Sequence, residues 1–136
     1  MSAISLVDND ALGKLIVRLT LGILMLFHGV AKILNPGAVG FIGSKLAEAG
    51  LPSVIAYGVY VGEVIAPVMI ILGIFCRFGA VLTAGNMVVA IGLMHMGEIF
   101  ALTQTGGWAL ELQGFFLFIS LAIIFLGSGK YAVRPD

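Results

Sequence analysis

Residues 15–34 read LIVRLTLGILMLFHGVAKIL. A helix needs about twenty mostly apolar residues to cross the hydrocarbon of a bilayer, and this run has that length and character. Near its end His28 and Lys32 lie four residues apart, one helical turn, with Gly29 between them. Few places in so apolar a chain can hold two such groups, so the reading works outward from this segment.

The composition agrees with a membrane setting. Apolar residues make up 60% of the 136, charged residues 10%, and the mean hydropathy is +1.15. A water-soluble domain carries about 25% charged residues. The chain therefore reads as a multi-pass integral membrane protein whose first partner is the lipid bilayer. Its formal net charge of zero argues against nucleic acid or a strongly charged partner. The single cysteine, Cys76, can form neither an internal disulfide nor a C-x-x-C pair, and reads as a small hydrophobe at a helix end. Residues 1–13 carry Asp8 and Asp10 and no basic residue, the wrong flank for a cleaved signal, so the first run is expected to remain as a span.

Three further runs qualify as spans: 54–76, 78–96 and 108–126. The predicted fold is all-α, an integral membrane four-helix bundle forming a single domain over residues 1–136. Asn35-Pro36-Gly37 stops the first helix, because proline removes a backbone donor and glycine relaxes the chain. Between that turn and Gly50-Leu51-Pro52, Phe41, Ile42 and Leu46 fall to one side and Lys45 and Glu48 to another. That pattern predicts a short interfacial helix in the first loop. The second and third spans join tightly around Cys76-Arg77-Phe78-Gly79, and Gly127-Ser128-Gly129 ends the fourth. Placing both termini in the cytoplasm puts Lys14, Arg18, Arg77, Lys130 and Arg134 on that side, against Lys32 and Lys45 on the other. Membrane proteins favour that asymmetry. Many of the nineteen glycines lie inside the spans, where small residues let helices approach closely.

Ionisable side chains at membrane depth are costly and normally face the bundle interior or a cavity. At about 100° per residue, Arg18, Gly22, Met25, His28, Gly29 and Lys32 share roughly a third of the first helix's circumference. Arg18 and Lys32 are long enough to snorkel to the two interfaces, whereas His28 is not. Glu63 sits near the middle of the second span, where an isolated carboxylate must be neutralised or paired. Its expected partners are His28, at similar depth, and Arg18. Pro67 is expected to kink the same helix. In the third span, Asn86 and His95 differ by about 180° on an ideal helix, so one should face away unless a nearby glycine distorts the turn. Trp108 opens the fourth span as an interface anchor, and Glu111 follows as a counter-ion for Lys32 or His28. The candidate ligand pocket is thus Arg18, His28, Lys32, Glu63, Asn86, His95 and Glu111, in the outer half of the bundle. With only two histidines, at different depths, and no H-x-x-x-H or C-x-x-C-H, neither a metal nor a haem is expected.

The order of these elements resembles the DoxX family of small four-span bacterial membrane proteins, related to DoxD-type quinone-linked subunits. The likeness runs from about Arg18 to Tyr131. It rests on Arg18, Gly22, His28-Gly29 and Lys32, on Gly62-Glu63, and on Gly73 with Arg77-Phe78-Gly79-Ala80. Asn86-Met87, Ala90, Glu111 and Gly127-x-Gly129 complete it. Such proteins often continue past the last glycines with a Ser-x-Asp-like turn; this chain reads Lys130-Tyr131-Ala132-Val133, so no role passes to a C-terminal acid. The resemblance implies a bacterial inner-membrane protein, linked in some members to quinol oxidase or thiosulfate:quinone oxidoreductase complexes.

Three functions are compatible with these residues. The first is a quinone-linked oxidoreductase subunit, with quinone bound non-covalently and no redox centre of its own. The second is an accessory or assembly subunit, homo-oligomeric or part of a larger complex, whose buried charges specify packing. The third, a small-ligand transporter, is disfavoured by the short continuous spans and the absence of an inverted repeat.

Overall fold

The computed structural model of the protein describes residues 3–136. Among them the ordered elements are helices, with isolated bridges only at Ile74–Arg134 and Leu102–Trp108. After a short α1 (Ala3–Val7), helix α2 spans Asp10–Leu34. It begins five residues before the apolar run because Asn9 caps it, its side-chain oxygen accepting the Leu12 N–H at 3.0 Å. Helix α3 spans Gly37–Glu48, starting at the Pro36 turn rather than at Phe41. Proline's fixed φ already suits a helix start, and its missing N–H costs nothing there. The α3 face carrying Val39 and Leu46 packs on Ala56 and Val59 of the next helix.

Helix α4, Ser53–Leu72, is one rod made of different turns. It opens as a 3₁₀ turn over Ser53–Tyr57, becomes α over Gly58–Tyr60, widens to a π turn over Val61–Ile65, and returns to α over Ala66–Leu72. Pro67 explains the change. It has no N–H for the Glu63 carbonyl four residues back, and the Ala66 N–H reaches five residues back to Val61. The sequence predicts a kink here; the backbone holds an extra residue in one turn, a wide turn of the kind that accompanies helix bends.

Gly73, at φ 73°, ends α4 four residues before the expected limit of that span. Helix α5 then runs Cys76–Met94. Helix α6 spans Glu111–Leu126, beginning after Trp108. That tryptophan sits in the preceding loop, donating Nε1–H to the Ile99 carbonyl at 2.8 Å and lying across Gly114.

Helices α2, α4, α5 and α6 share one core: Leu21 and Met25, Ile70, Ala80 and Met87, Phe116 and Ile123. Asp10–Leu34, Ser53–Leu72 and Cys76–Met94 are long and apolar enough to cross a membrane; Glu111–Leu126 is apolar but shorter. Large apolar side chains such as Phe27, Val88, Phe115, Phe118 and Phe125 point away from the core. Hydrocarbon accommodates such a surface and water does not.

The last ten residues fold back toward the start of α2, with Gly129 beside Lys14 and Ala11. The Val133 and Arg134 N–H groups donate to the Leu72 and Gly73 carbonyls at 2.9 and 3.0 Å. Asp136 accepts the Arg77 N–H at 3.0 Å, and the Arg77 guanidinium donates to the Ile124 carbonyl at 2.7 Å. Carbonyls left open at the ends of α4 and α6 are thereby satisfied.

Candidate functional site

Three helices converge on Glu63. Gly29 of α2 lies so close to the π turn that a Cβ there would overlap the Glu63 carbonyl. A Cβ on Gly62 would stand 2.5 Å from Asn86 Cβ of α5. Glycines at both crossings let the backbones approach to this degree. The carboxylate, 4% exposed, is then held from both sides. Lys32 Nζ donates to Oε1 at 2.5 Å and Asn86 Nδ2 to Oε2 at 2.9 Å. Each oxygen has its own donor, which is how a charge can be kept away from water.

Beside this cluster opens a cavity of about 570 Å³. Its walls are mostly aliphatic and aromatic, including Met25, Phe41, Leu46, Val59, Ala90 and Phe116, with Lys32, Glu63 and Asn86 among the polar groups. An apolar enclosure of this size with a few convergent polar groups has the proportions of a small-molecule site. His28 also lines it, with its ring edge-on to Phe116 at 5.5 Å between centroids. No hydrogen bond involves the His28 ring among the described residues. His95 lines the cavity as well, its Nδ1 lying 3.3 Å from Glu98 Oε1.

Of the residues chosen from the sequence, the fold brings together His28, Lys32, Glu63, Asn86 and His95. Asn86 and His95 reach the same cavity despite their opposed helical phase, because α5 ends at Met94 and His95 has left helical geometry, with φ −127°. Arg18 lies elsewhere. Buried at 1% exposure, it donates to the Ile70 and Ile71 carbonyls at the end of α4 and to the Ser128 and Tyr131 carbonyls of the tail. Those four bonds, at 2.7–3.1 Å, tie tail to helix and give Glu63 nothing. Glu111 is exposed at the start of α6, beside Gly107, and bonds to neither Lys32 nor His28. The partners expected for Glu63, His28 and Arg18, are replaced by Lys32 and Asn86. Among the described residues no three His, Cys, Asp or Glu side chains stand close enough to hold a metal ion.

Sequence reasoning missed Phe116 and the tail. Nothing in the spacing of α6 indicates which of its phenylalanines turns inward, since all sides of that helix are apolar. The tail's role had one visible signal: Arg18 and Arg77 are each long enough to reach carbonyls at a neighbouring helix end.

The DoxX family model matches residues 13–96, which carry the Lys32–Glu63–Asn86 cluster. The chain belongs to the DoxX family. Its DoxX relatives include a Bacillus subtilis (strain 168) protein described as "Putative oxidoreductase CatD", 35% identical over 81 residues. The aligned part is 59% of this chain and 58% of CatD, so the chain spans little more than half the length of that DoxX-type protein. No solved structure matches. The DoxX match ends at Met96, so the α6 residues Leu112, Gln113 and Phe116 that line the cavity lie beyond it.

Proposed function

We propose that this DoxX protein is a quinone-linked oxidoreductase subunit of the bacterial inner membrane, crossing it four times with both termini cytoplasmic. In that setting α3 lies in the interface and the cavity occupies the outer half of the bundle. The protein works as a homo-oligomer or within a larger membrane complex. The observation that carries this reading is the Lys32–Glu63–Asn86 cluster set in the wall of an apolar cavity. A quinone is an apolar ring with two carbonyl acceptors, and its reduction to quinol takes up two electrons and two protons. Lys32 and Asn86 offer donors to one carbonyl, and His28, its ring free of other hydrogen bonds among the described residues, offers one to the other. Glu63 holds the Lys32 proton in place and can accept or return one as the ring changes charge. In this reading the electrons come from a partner subunit or a soluble donor. The name of the Bacillus subtilis relative supports the same reaction class.

The test is to purify the protein in mild detergent, extract and quantify quinone, and assay quinone reduction in the complete complex. Bound quinone, with turnover abolished in His28→Ala and Glu63→Gln, is the expected result. Undiminished turnover in both variants overturns the proposal.

A second reading is favoured by a different observation. Among the described residues no buried side-chain nitrogen or oxygen lacks a hydrogen-bond partner, so the charged cluster is complete without a ligand. An assembly subunit needs only that. Under this reading Glu63→Gln disperses the complex, whereas under the first it leaves the complex intact and inactive.

A further inference from the structure

Helices α4 and α5 touch at two levels and then separate. Near the termini, Gly79 of α5 lies against the Ala66 carbonyl and Ile70 of α4. About two turns on, Gly62 meets Asn86. One turn beyond that, on the same side of α4, Gly58 has nothing within 4 Å of where its Cβ would stand. The facing turn of α5 presents Val89, 54% exposed although it lines the cavity. Val61 and Gly85 are likewise both exposed and cavity-lining, and space at Gly85 is also open. Farther on the gap closes again, because Leu93 packs against the cluster formed by α3 and the start of α4. The result is a window between α4 and α5, with the Gly62–Asn86 contact as its sill.

The rim of this window is apolar, and Val89 stands about 8 Å before the end of α5 at the rise of an α-helix. If α5 crosses a bilayer, the window opens into hydrocarbon rather than water. The cavity volume, about 570 Å³, suits a drug-sized molecule. A head group beside Lys32 and Asn86 fits within it, and a long alkyl or polyprenyl chain does not.

We propose that the ligand is a tail-bearing lipid quinone which enters from the bilayer through this window, leaving its tail between Gly58 and Val89 while its head meets the polar cluster. This deepens the quinone-site reading above and rests on it.

The test uses the full chain in phosphatidylcholine vesicles with two photoreactive quinones. One is a tail-less azidobenzoquinone; the other has a decyl tail carrying a diazirine close to the ring. The tail probe is expected to label residues 58–61 and 85–89. Gly58→Trp and Val89→Trp should each cut that labelling about tenfold while changing head-group labelling by the tail-less quinone less than about twofold. Gel filtration confirms that each variant is folded, and either one suffices for the comparison. Tail labelling on α3 or α6, full tail labelling in both folded variants, or equal loss of both probes overturns the window while leaving the quinone site standing. If neither probe labels the wild-type cavity, the site reading fails and the window with it.

Discussion

Gly29 of α2 rests directly on the backbone of Glu63, with no room for a methyl group between the two helices. The missing proline N–H leaves the Glu63 carbonyl outside the usual i−4 helix bond, and that oxygen faces Gly29. Close van der Waals packing of the two backbones is what the glycine permits here. The same crossing sets Lys32, three residues on, against the Glu63 side chain.

Gly29→Ala tests that crossing. Its Cβ would also stand 2.6 Å from the Glu63 carbonyl carbon and 2.8 Å from Val64 Cγ2, and backbone cannot move aside as a side-chain tip can. Overpacking of this kind costs about 1–3 kcal/mol. Thermal unfolding in detergent should show a lower Tm for Gly29→Ala, and an unchanged or higher one for Gly85→Ala, where space is open.

The Lys32–Glu63 pair should behave as a unit. Lys32→Met leaves a buried carboxylate with Asn86 as its one remaining donor and should cost about 3 kcal/mol. Lys32→Met/Glu63→Met removes the stranded charge, so the double variant should regain more than half of that loss. Chemical denaturation of the four members of this double-mutant cycle measures it. Simple addition of the two single effects would show that the pair does not couple.

Arg18 fastens the tail. Arg18→Met removes four hydrogen bonds to carbonyls, each from a charged donor and worth about 1.5–3 kcal/mol in a buried setting. Arg18→Lys keeps the charge but not the planar fork that reaches Ile70, Ile71, Ser128 and Tyr131 together. Both should release residues 129–136, with tryptic cleavage after Lys130 accelerating about tenfold for each 1.4 kcal/mol of local stability lost. Tryptic cleavage unchanged from wild type would show that the tail is held by other contacts.

Trp108 reports on the loop before α6 and is the one tryptophan of the chain. In Gly114→Ala a methyl group would meet its ring at 2.6 Å. The indole must then move and give up its bond to the Ile99 carbonyl, a loss of about 1 kcal/mol. Tryptophan emission should shift to longer wavelength, while Trp108→Phe should lower stability without the steric effect.

Much of the site was legible because charge is scarce here. Lys32, Glu63 and Asn86 stood out as polar groups in apolar runs, and the energetic demand that each be satisfied pointed inward. Their pairing was not legible. Glu63 was assigned His28 and Arg18, yet it bonds Lys32 and Asn86. Which neighbour meets which depends on helix rotation, and the π turn at Val61–Ile65 alters the rotation of everything before it by one residue. Glu111 stands exposed at the start of α6, next to the cavity-lining Leu112 and Gln113 but turned away from the cavity.

By itself, then, the amino-acid sequence determined the helices, the apolar exterior and the short list of groups that must find partners. Those properties follow from length, hydropathy and the cost of desolvating charge, all of them local. Only the tertiary structure decided that Gly29 and Gly62 mark the crossings, that Arg18 serves the tail, and that α4 and α5 part beyond Asn86. A helix apolar on every side has no stripe to announce its neighbour. Its facing side is chosen by shape, where two backbones fit, and that choice exists only once the helices are packed together.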